Sequence, residues 1–340
     1  MTRLVFDYDP ILYECGSVGE TRTVKVVHRQ SGDEYDFSTR TAFYGHWKKK
    51  AGGWLAEYNA AKTTPRLPEE FDYIDVQEPE PIANCLHTMK RIIAGHQEVI
   101  GAKTYYGYSG RGTVFRQDVS TVLKYKGNRD NMLRPIHLDD LKEYLIRHHA
   151  CKIITEIEAD DACTIDSYNA WQKWKKTKSD DDKLVLAYVD KDYLGITGHI
   201  YNTNLEDGIC SHDGFGWLNL DDKGAVKGRG RMWLYQQVMD GDGSDNYFAN
   251  SANPEMKWAE KSAYKLLKDA KNDKEALQGL VKGYKLLYPT PKEITGWRGD
   301  TLTVDWLYML QENMTLAHML RWRGDKIDVK ALLTKLEVEH

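Results

Sequence analysis

The sequence predicts an α/β fold, a mostly parallel central sheet flanked by helices, joined to a helical second region. Three observations predict it. Short apolar or aromatic runs, "RLVF", "AKTYYGYS", "CKIIT" and "KLVLAYV", alternate with amphipathic stretches of helical period, the pattern of a parallel sheet with crossover helices. After about residue 225 the texture turns helical, and no strand run of comparable quality appears. The chain has 340 residues, 41% hydrophobic and 29% charged, an ordinary globular composition long enough for two or three domains.

Each element follows from its pattern. "RLVF" at 3–6 reads as a short buried strand, and "PILYECGSV" opens a helix with Pro10 at an early position. "TRTVKVVHRQSGDEYDFS" alternates about a glycine-containing turn and reads as a hairpin. "TAFYGHWKKKAGGWLAEYNAAK" is helical with a Gly-Gly break, "FDYIDVQ" a strand, "EPIANCLHTMKRIIAGHQEVI" a helix and "AKTYYGYS" a strand. "HLDDLKEYLIRHH" is an amphipathic helix with Leu138, Leu141 and Leu145 on one side. "CKIIT" is a strand, 160–176 a helix, and "KLVLAYV" at 183–189 a buried strand; "KSDDDK" at 178–183 is a solvated charged turn. The helical region holds "GRMWLYQQVM", "EKSAYKLLKDA", "DKEALQGLVKGYKLL" and "TVDWLYMLQENMTLAHMLRW". The expected domains are therefore 1–225, 226–290 and 291–340, the last packing back on the core.

Charge and cysteine usage narrow the class. The net charge of −4 excludes a chain that binds polyanions through its overall charge, but not a local basic patch. Cys15, Cys85, Cys151, Cys163 and Cys210 are odd in number and form no CxxC pair, so free thiols in a reducing compartment are expected. "MTRLVFDYDP" carries no signal-peptide apolar block and no run is long enough to span a membrane. A cytoplasmic location without a membrane partner is the expectation; the oligomeric state is not set.

Three apolar strands end in carboxylates. "RLVF" ends at Asp7, with Asp9 two further on; "CKIITEIE" ends at Glu158, with Asp160 and Asp161 next; "KLVLAYV" ends at Asp190, with Asp192 two further on. "MDGDGSDN" adds Asp242 and Asp245. One acid after a strand is an ordinary turn former or N-cap. Several such ends are different, because the crevice of an open α/β sheet lies at the carboxyl ends of its strands. Carboxylates converging there could not all ionise without bound cations. A donor set of hard oxygens without a His/Cys group selects Mg²⁺ or Mn²⁺. Two such ions, about 4 Å apart, form the clamp for in-line displacement at phosphorus.

The basic groups suit a phosphate. "LKYKGNRDNMLR" carries Lys124, Lys126, Arg129 and Arg134 against Asp130, with Tyr125 between two lysines, and "FRQD" adds Arg116. Bases interleaved with an aromatic suit a phosphodiester backbone with a stacked base. "KWAEKSAYKLLK" spaces Lys257, Lys261, Lys265 and Lys268 by four, four and three, a basic stripe for a duplex backbone. "HWKKK", "KWKKTK" and "KGRGR" read as solvated faces or weak phosphate contacts.

"VFDYDPILY", "YKGNR", "EIEADD" with "VDKD", and "GDGSDN", in this order, resemble the 5′-nuclease superfamily, which holds flap endonucleases and bacteriophage 5′→3′ exonucleases. The likeness runs from residue 3 to about 270, and "ENMTLAHMLRW" brings it nearest the phage branch. It implies a PIN-like domain with an arch region at about 124–150 and a helix–three-turn–helix DNA-binding region. It also implies two-metal hydrolysis of DNA phosphodiesters at a 5′ end, nick or flap, or of an RNA–DNA hybrid, in phage replication or recombination. By position it implies Asp7, Glu158, Asp160, Asp161, Asp190, Asp192, Asp242 and Asp245 as metal ligands. Lys126 and Arg129 would then contact the scissile phosphate, and Tyr125 would be the aromatic on which a terminal base stacks. Two positions depart from the pattern. Many relatives have an acid at or near the position of Ser109, which implies a metal held more weakly or more by water. "YFANSANPEMKWAEKSA" lacks the glycines of the family's cation-binding hairpin. The interval from Arg129 to Glu158 is short and implies a small loop-plus-helix arch. Two rival readings are a haloacid-dehalogenase-like phosphatase, with Asp7 as nucleophile and Asp9 as acid, and a catalytically silent DNA-binding protein of the same fold.

Overall fold

The structure, a computed structural model, describes residues 1–46, 48–188, 190–202 and 208–339. Trp47 of "HWKKK" and Val189 of the expected strand lie outside the described residues. In chain order the first elements are β1 (Arg3–Asp7), α1 (Tyr8–Ser17), β2 (Glu20–His28), β3 (Glu34–Phe37), α2 (Arg40–Tyr44), α3 (Gly53–Ala60), β4 (Phe71–Pro79) and α4 (Ile82–Ile100). There follow β5 (Thr104–Val114), α5 (Phe115–Val119), α6 (Leu138–His148), β6 (Cys151–Glu156), α7 (Ala159–Thr177), β7 (Leu184–Tyr188), β8 (Gly198–Asn202) and β9 (Ile209–His212). The rest is β10 (Trp217–Leu220), β11 (Val226–Arg229), α8 (Arg231–Asp240), β12 (Gly241–Asp242), β13 (Tyr247–Phe248), α9 (Glu260–Leu267), α10 (Asp273–Leu287), β14 (Lys292–Thr295), β15 (Thr301–Val304), α11 (Trp306–Ala317) and α12 (Val329–Lys335). Two compact units divide the chain: one of Met1–Pro10, Ile93–Leu133 and Tyr144–His340, the other of Ile11–Ile92 and Arg134–Glu143.

The larger unit is mixed α/β, with a mostly parallel sheet, as the strand–helix alternation predicts. Its six strands run in the order β6-β5-β1-β7-β8-β9, parallel except for β9. The central strands are continuously apolar because helices cover both faces of such a sheet: Leu4, Val5, Phe6, Leu184, Val185 and Leu186 are all buried. Along α7 the small residues Ala159, Ala162, Cys163 and Ala170 are buried in the same core as Val5 and Leu186. They let the helix lie close on the sheet, where each buried methylene contributes roughly 0.8 kcal/mol. A second core gathers Met239, Leu280, Tyr284, Leu310 and Met314 from α8, α10 and α11. The helical texture after residue 225 is thus real, but the hairpins β10–β11 and β14–β15 interrupt it. Their strands are four residues each, too short for a period-two pattern to stand out.

The smaller unit holds the predicted hairpin and the strand from Phe71. These do not join the parallel sheet. They form a separate antiparallel sheet, β3-β2-β4. Val24, Val26 and Phe71 from its inner face pack with Phe43 of α2 and Leu55 of α3. The stretch containing Gly52 and Gly53 is two short helices joined through a His46–Ala51 bridge. Leu138, Leu141 and Leu145 of α6 are all buried, as their spacing predicts. All five cysteines are free thiols. Among the described residues no helix is long and apolar enough to cross a membrane.

Candidate metal centre

The topology delivers the acids to one edge. β1 and β7 pair in parallel, Arg3 opposite Leu184 and Phe6 opposite Ala187. Both chains therefore leave the sheet at the same end, and Asp7 and Asp190 stand where they do so. Asp190 caps the short 3₁₀ turn Lys191–Gly195, its carboxylate accepting from the Asp192 N–H at 3.1 Å. At the end of β6 the backbone of Glu156 is left-handed, φ 72°, an uncommon state for a residue with a side chain. It turns the chain so that Glu158 becomes the N-cap of α7, with Asp160 and Asp161 in the first turn. There the helix macrodipole favours negative charge. After α8 the chain must reverse at Gly241, φ 99°, where a Cβ would lie 2.4 Å from the carbonyl oxygen of Tyr247. That turn carries Asp242 to a position only 3% exposed.

The acids act on one another's charge. Burial, then the charge of Asp9 and further that of Asp190, pushes Asp7 up to about 8. Burial, then Asp190, Asp245 and Asp242, pushes Asp192 up to about 8. Asp160 is raised well above the carboxylate range by burial, then by Glu158 and Asp161. Asp245 is raised by burial, with Lys126 opposing and Glu158 adding to the shift. The four segments that seemed remote along the chain thus form one electrostatic unit. Oxygens of Glu158, Asp160 and Asp161 all lie within 4.8 Å of one another. Such a cluster of oxygen donors, several of them desolvated, is compatible with metal binding.

Basic residues reach the same place. Lys126, in a left-handed conformation (φ 55°), donates its N–H to the Asp245 carbonyl at 3.0 Å. Its ammonium contacts Glu158 and lies 3.6 Å from Asp245. Burial alone would raise Glu158, but Arg116 and then Lys126 outweigh it and hold the carboxyl below its ordinary value. Arg129 donates to the Ser244 carbonyl at 3.0 Å and to Asp245 at 3.1 Å. Lys124 pairs with Asp130.

Other expected positions are corrected. Arg116 is 1% exposed, not at a nucleic-acid surface. Its guanidinium donates to Glu158 (2.9 Å), to both oxygens of Asp161, and to the carbonyls of Leu316 (3.0 Å) and His318 (2.7 Å). Asp161 is committed to that bidentate pair and to the Leu320 N–H at 3.1 Å. Tyr125 is 2% exposed, so no base can stack on its ring. Its hydroxyl instead stands 2.8 Å from Glu158 and 2.7 Å from Asp245. Arg134 is exposed and belongs to the smaller unit. Lys257, Lys261 and Lys265 are exposed, but only Lys261 and Lys265 lie inside α9, so the expected helical stripe is shorter.

Four residues in the cluster are missing from the sequence-derived set. Asp9 accepts from the buried Ser109 hydroxyl at 2.6 Å and from the Gly110 N–H at 3.1 Å. Position 109 thus supports an acid from α1 instead of contributing one, a signal already present in the "DYD" spacing. Lys191 stands 3.1 Å from Asp242, and the Tyr193 hydroxyl donates to Asp7 at 3.2 Å. Gln237 donates to Asp192. Only the fold brings Tyr193 and Gln237 there.

The larger unit therefore defines a mixed α/β protein with an acidic cluster at the carboxyl edge of its sheet. No protein-family model matches the chain, and no curated protein does. Among solved structures it is similar to a bacteriophage T5 flap endonuclease, determined as a pseudo-enzyme–product complex with DNA and metal ions. The TM-score is 0.43 and the identity 17%, over 74% of this chain and 87% of that one.

Proposed function

We propose that this chain is a divalent-metal-dependent 5′ nuclease hydrolysing DNA phosphodiesters, of 5′→3′ exonuclease or flap-endonuclease type. The observation that carries the reading is the group of Glu158, Asp160 and Asp161 oxygens within 4.8 Å of one another, with Asp7, Asp190, Asp192, Asp242 and Asp245 near enough for their charges to act on one another or on that group. Lys126 and Arg129 standing among them support it. A phosphatase of the haloacid-dehalogenase type would use Asp7 and Asp9 and leave most of the cluster without a role.

These carboxylates would hold two Mg²⁺ or Mn²⁺ ions, with Asp161 acting through Arg116. The ions would supply activation of water and stabilisation of the leaving 3′-oxygen. Lys126 and Arg129 exchange their carboxylate partners for phosphate oxygens, a charge-assisted contact that strengthens as charge builds in the transition state. No side chain needs to act as sole general base. The helical region 226–290, with Lys261 and Lys265 outward, takes the duplex backbone. A place in phage replication or recombination suits such an activity.

The test is cleavage of matched nicked, flapped and blunt 5′-labelled DNA, and of an RNA–DNA hybrid, with and without Mg²⁺. Metal-dependent release of nucleotides is expected, and Asp190→Asn should remove most turnover while duplex binding persists. Wild-type rates in that variant, or no metal-dependent cleavage of any substrate, would refute the assignment.

A further inference from the structure

The turn between β14 and β15 carries an aromatic side chain for which the proposed chemistry has no role. Trp297 is 38% exposed, yet it is rigidly held. Its indole N–H donates to the Ser120 carbonyl at 2.8 Å and its backbone N–H to the Thr121 carbonyl at 3.2 Å. The close approach needs Gly296, where a Cβ would stand 2.6 Å from the Thr121 oxygen. Two cations lie near the ring: the Arg298 guanidinium at 4.3 Å and the Lys124 ammonium at 5.9 Å from its centroid. Arg298 is itself fixed, donating to the Ser120 carbonyl at 2.8 Å and to that of Gln117.

The anchor is what gives this tryptophan its meaning. Ser120 and Thr121 belong to the loop that carries Tyr125 and Lys126 into the acidic cluster. The loop folds back on itself, since the Tyr125 N–H donates to the Ser120 hydroxyl at 3.2 Å. Thr121 is also held by the Tyr308 hydroxyl at 2.7 Å and by Glu312. A flat apolar ring that keeps 38% of its surface exposed, two cations beside it and a rigid tie to the loop of Tyr125 and Lys126 are the parts of a single-strand stacking site. Charge selects the occupant: a polyanion with aromatic bases, not an apolar peptide.

We propose that Trp297 is the platform on which an unpaired nucleobase of the DNA strand stacks beside the scissile phosphate, with Arg298 and Lys124 serving the phosphates on either side of it. This role rests on the nuclease reading above. It takes over the base-stacking function that the buried Tyr125 cannot perform.

The experiment compares wild type, Trp297→Phe and Trp297→Ala on a fluorescein-labelled 5′-flap DNA. Affinity is read by anisotropy in Ca²⁺, and KM and kcat are read in Mg²⁺. Each is repeated with an abasic residue at successive flap positions, and melting curves establish that the variants are folded. Trp297→Ala is expected to weaken binding about 5- to 150-fold, with the loss in KM more than in kcat, and Trp297→Phe to keep most of the affinity. One abasic position should weaken wild type but leave Trp297→Ala unaffected. Unchanged affinity in Trp297→Ala overturns the platform while wild-type cleavage leaves the nuclease standing. Equal losses in Trp297→Phe and Trp297→Ala also overturn it, since they assign the effect to the indole N–H anchor. Wild type that binds through Trp297 without cleaving keeps the platform and removes the nuclease. Wild type that binds no DNA removes both.

Discussion

Two acids, the half-buried Asp160 and the buried Asp161, are neighbours in the first turn of α7 and live under opposite conditions. Asp161 shares Arg116 in a bidentate pair, and every donor of that guanidinium has an acceptor. Asp160 gains no such partner and is pushed far toward its neutral form by burial and like charge. A second satisfied charge cluster repeats the first condition: Asp325 accepts from Arg321 at 2.8 and 2.9 Å, beside His318 at 2.8 Å. The contrast separates charges that hold the fold from charges left without a bidentate partner, which on the proposed reading a metal would offset. In the first class the removal of one partner strands the other. In the second, the removal of one member relieves its neighbours.

The sharpest way to break this distinction is at Arg116. Arg116→Ala strands Asp161 in a dry site and should lower unfolding free energy by about 3–5 kcal/mol, measured by urea denaturation. A loss below about 1 kcal/mol would place Asp161 in the other class. Next comes Asp192→Asn in the unsatisfied cluster. It should reduce turnover about 100- to 1,000-fold and leave the melting temperature in EDTA unchanged or higher; a large fall in stability would reverse its class. Mg²⁺ at about a hundred times its dissociation constant should add about 2.7 kcal/mol of stability, visible as a higher melting temperature. The gain should shrink in Asp192→Asn, and no shift with wild type would count against a preformed centre. The smallest effect lies at Asp325. Burial opposes its ionisation, but His318 and Arg321 hold it well below 3.8. The unfolded chain therefore binds the proton first as pH falls, and the stability from this group is present above about pH 4 and lost below it. Asp325→Asn should lower the melting temperature near neutral pH and flatten its fall between about pH 4 and pH 3.

Much of this was legible in the sequence, for physical reasons. The parallel sheet shows because buried strands read as unbroken apolar runs, and α7 shows because its N-terminal acids and small residues repeat at helical spacing. The acids could be named because each follows a strand or helix end, where the chain leaves the sheet at a common edge. What failed was exposure. "FRQD" and "YKGNR" look like surface motifs, and a linear pattern does not reveal that α11 and its carbonyls close over Arg116 or that Tyr125 turns inward. The antiparallel sheet of the smaller unit was missed as a separate body because a hairpin looks the same whether it joins a large sheet or founds its own. Trp297 was illegible because its strands are too short to announce themselves.

The hydroxyl of Tyr125 has a single proton, and two carboxylates stand within hydrogen-bonding reach of it. It can serve Glu158 or Asp245 at any instant, never both. The start of α7 and the loop after α8 are thereby tied to one shared hydrogen, so a change of charge at either side reorients the phenol and is felt at the other. The Lys126 ammonium spans the same two acids, so ring and ammonium together set the spacing between them.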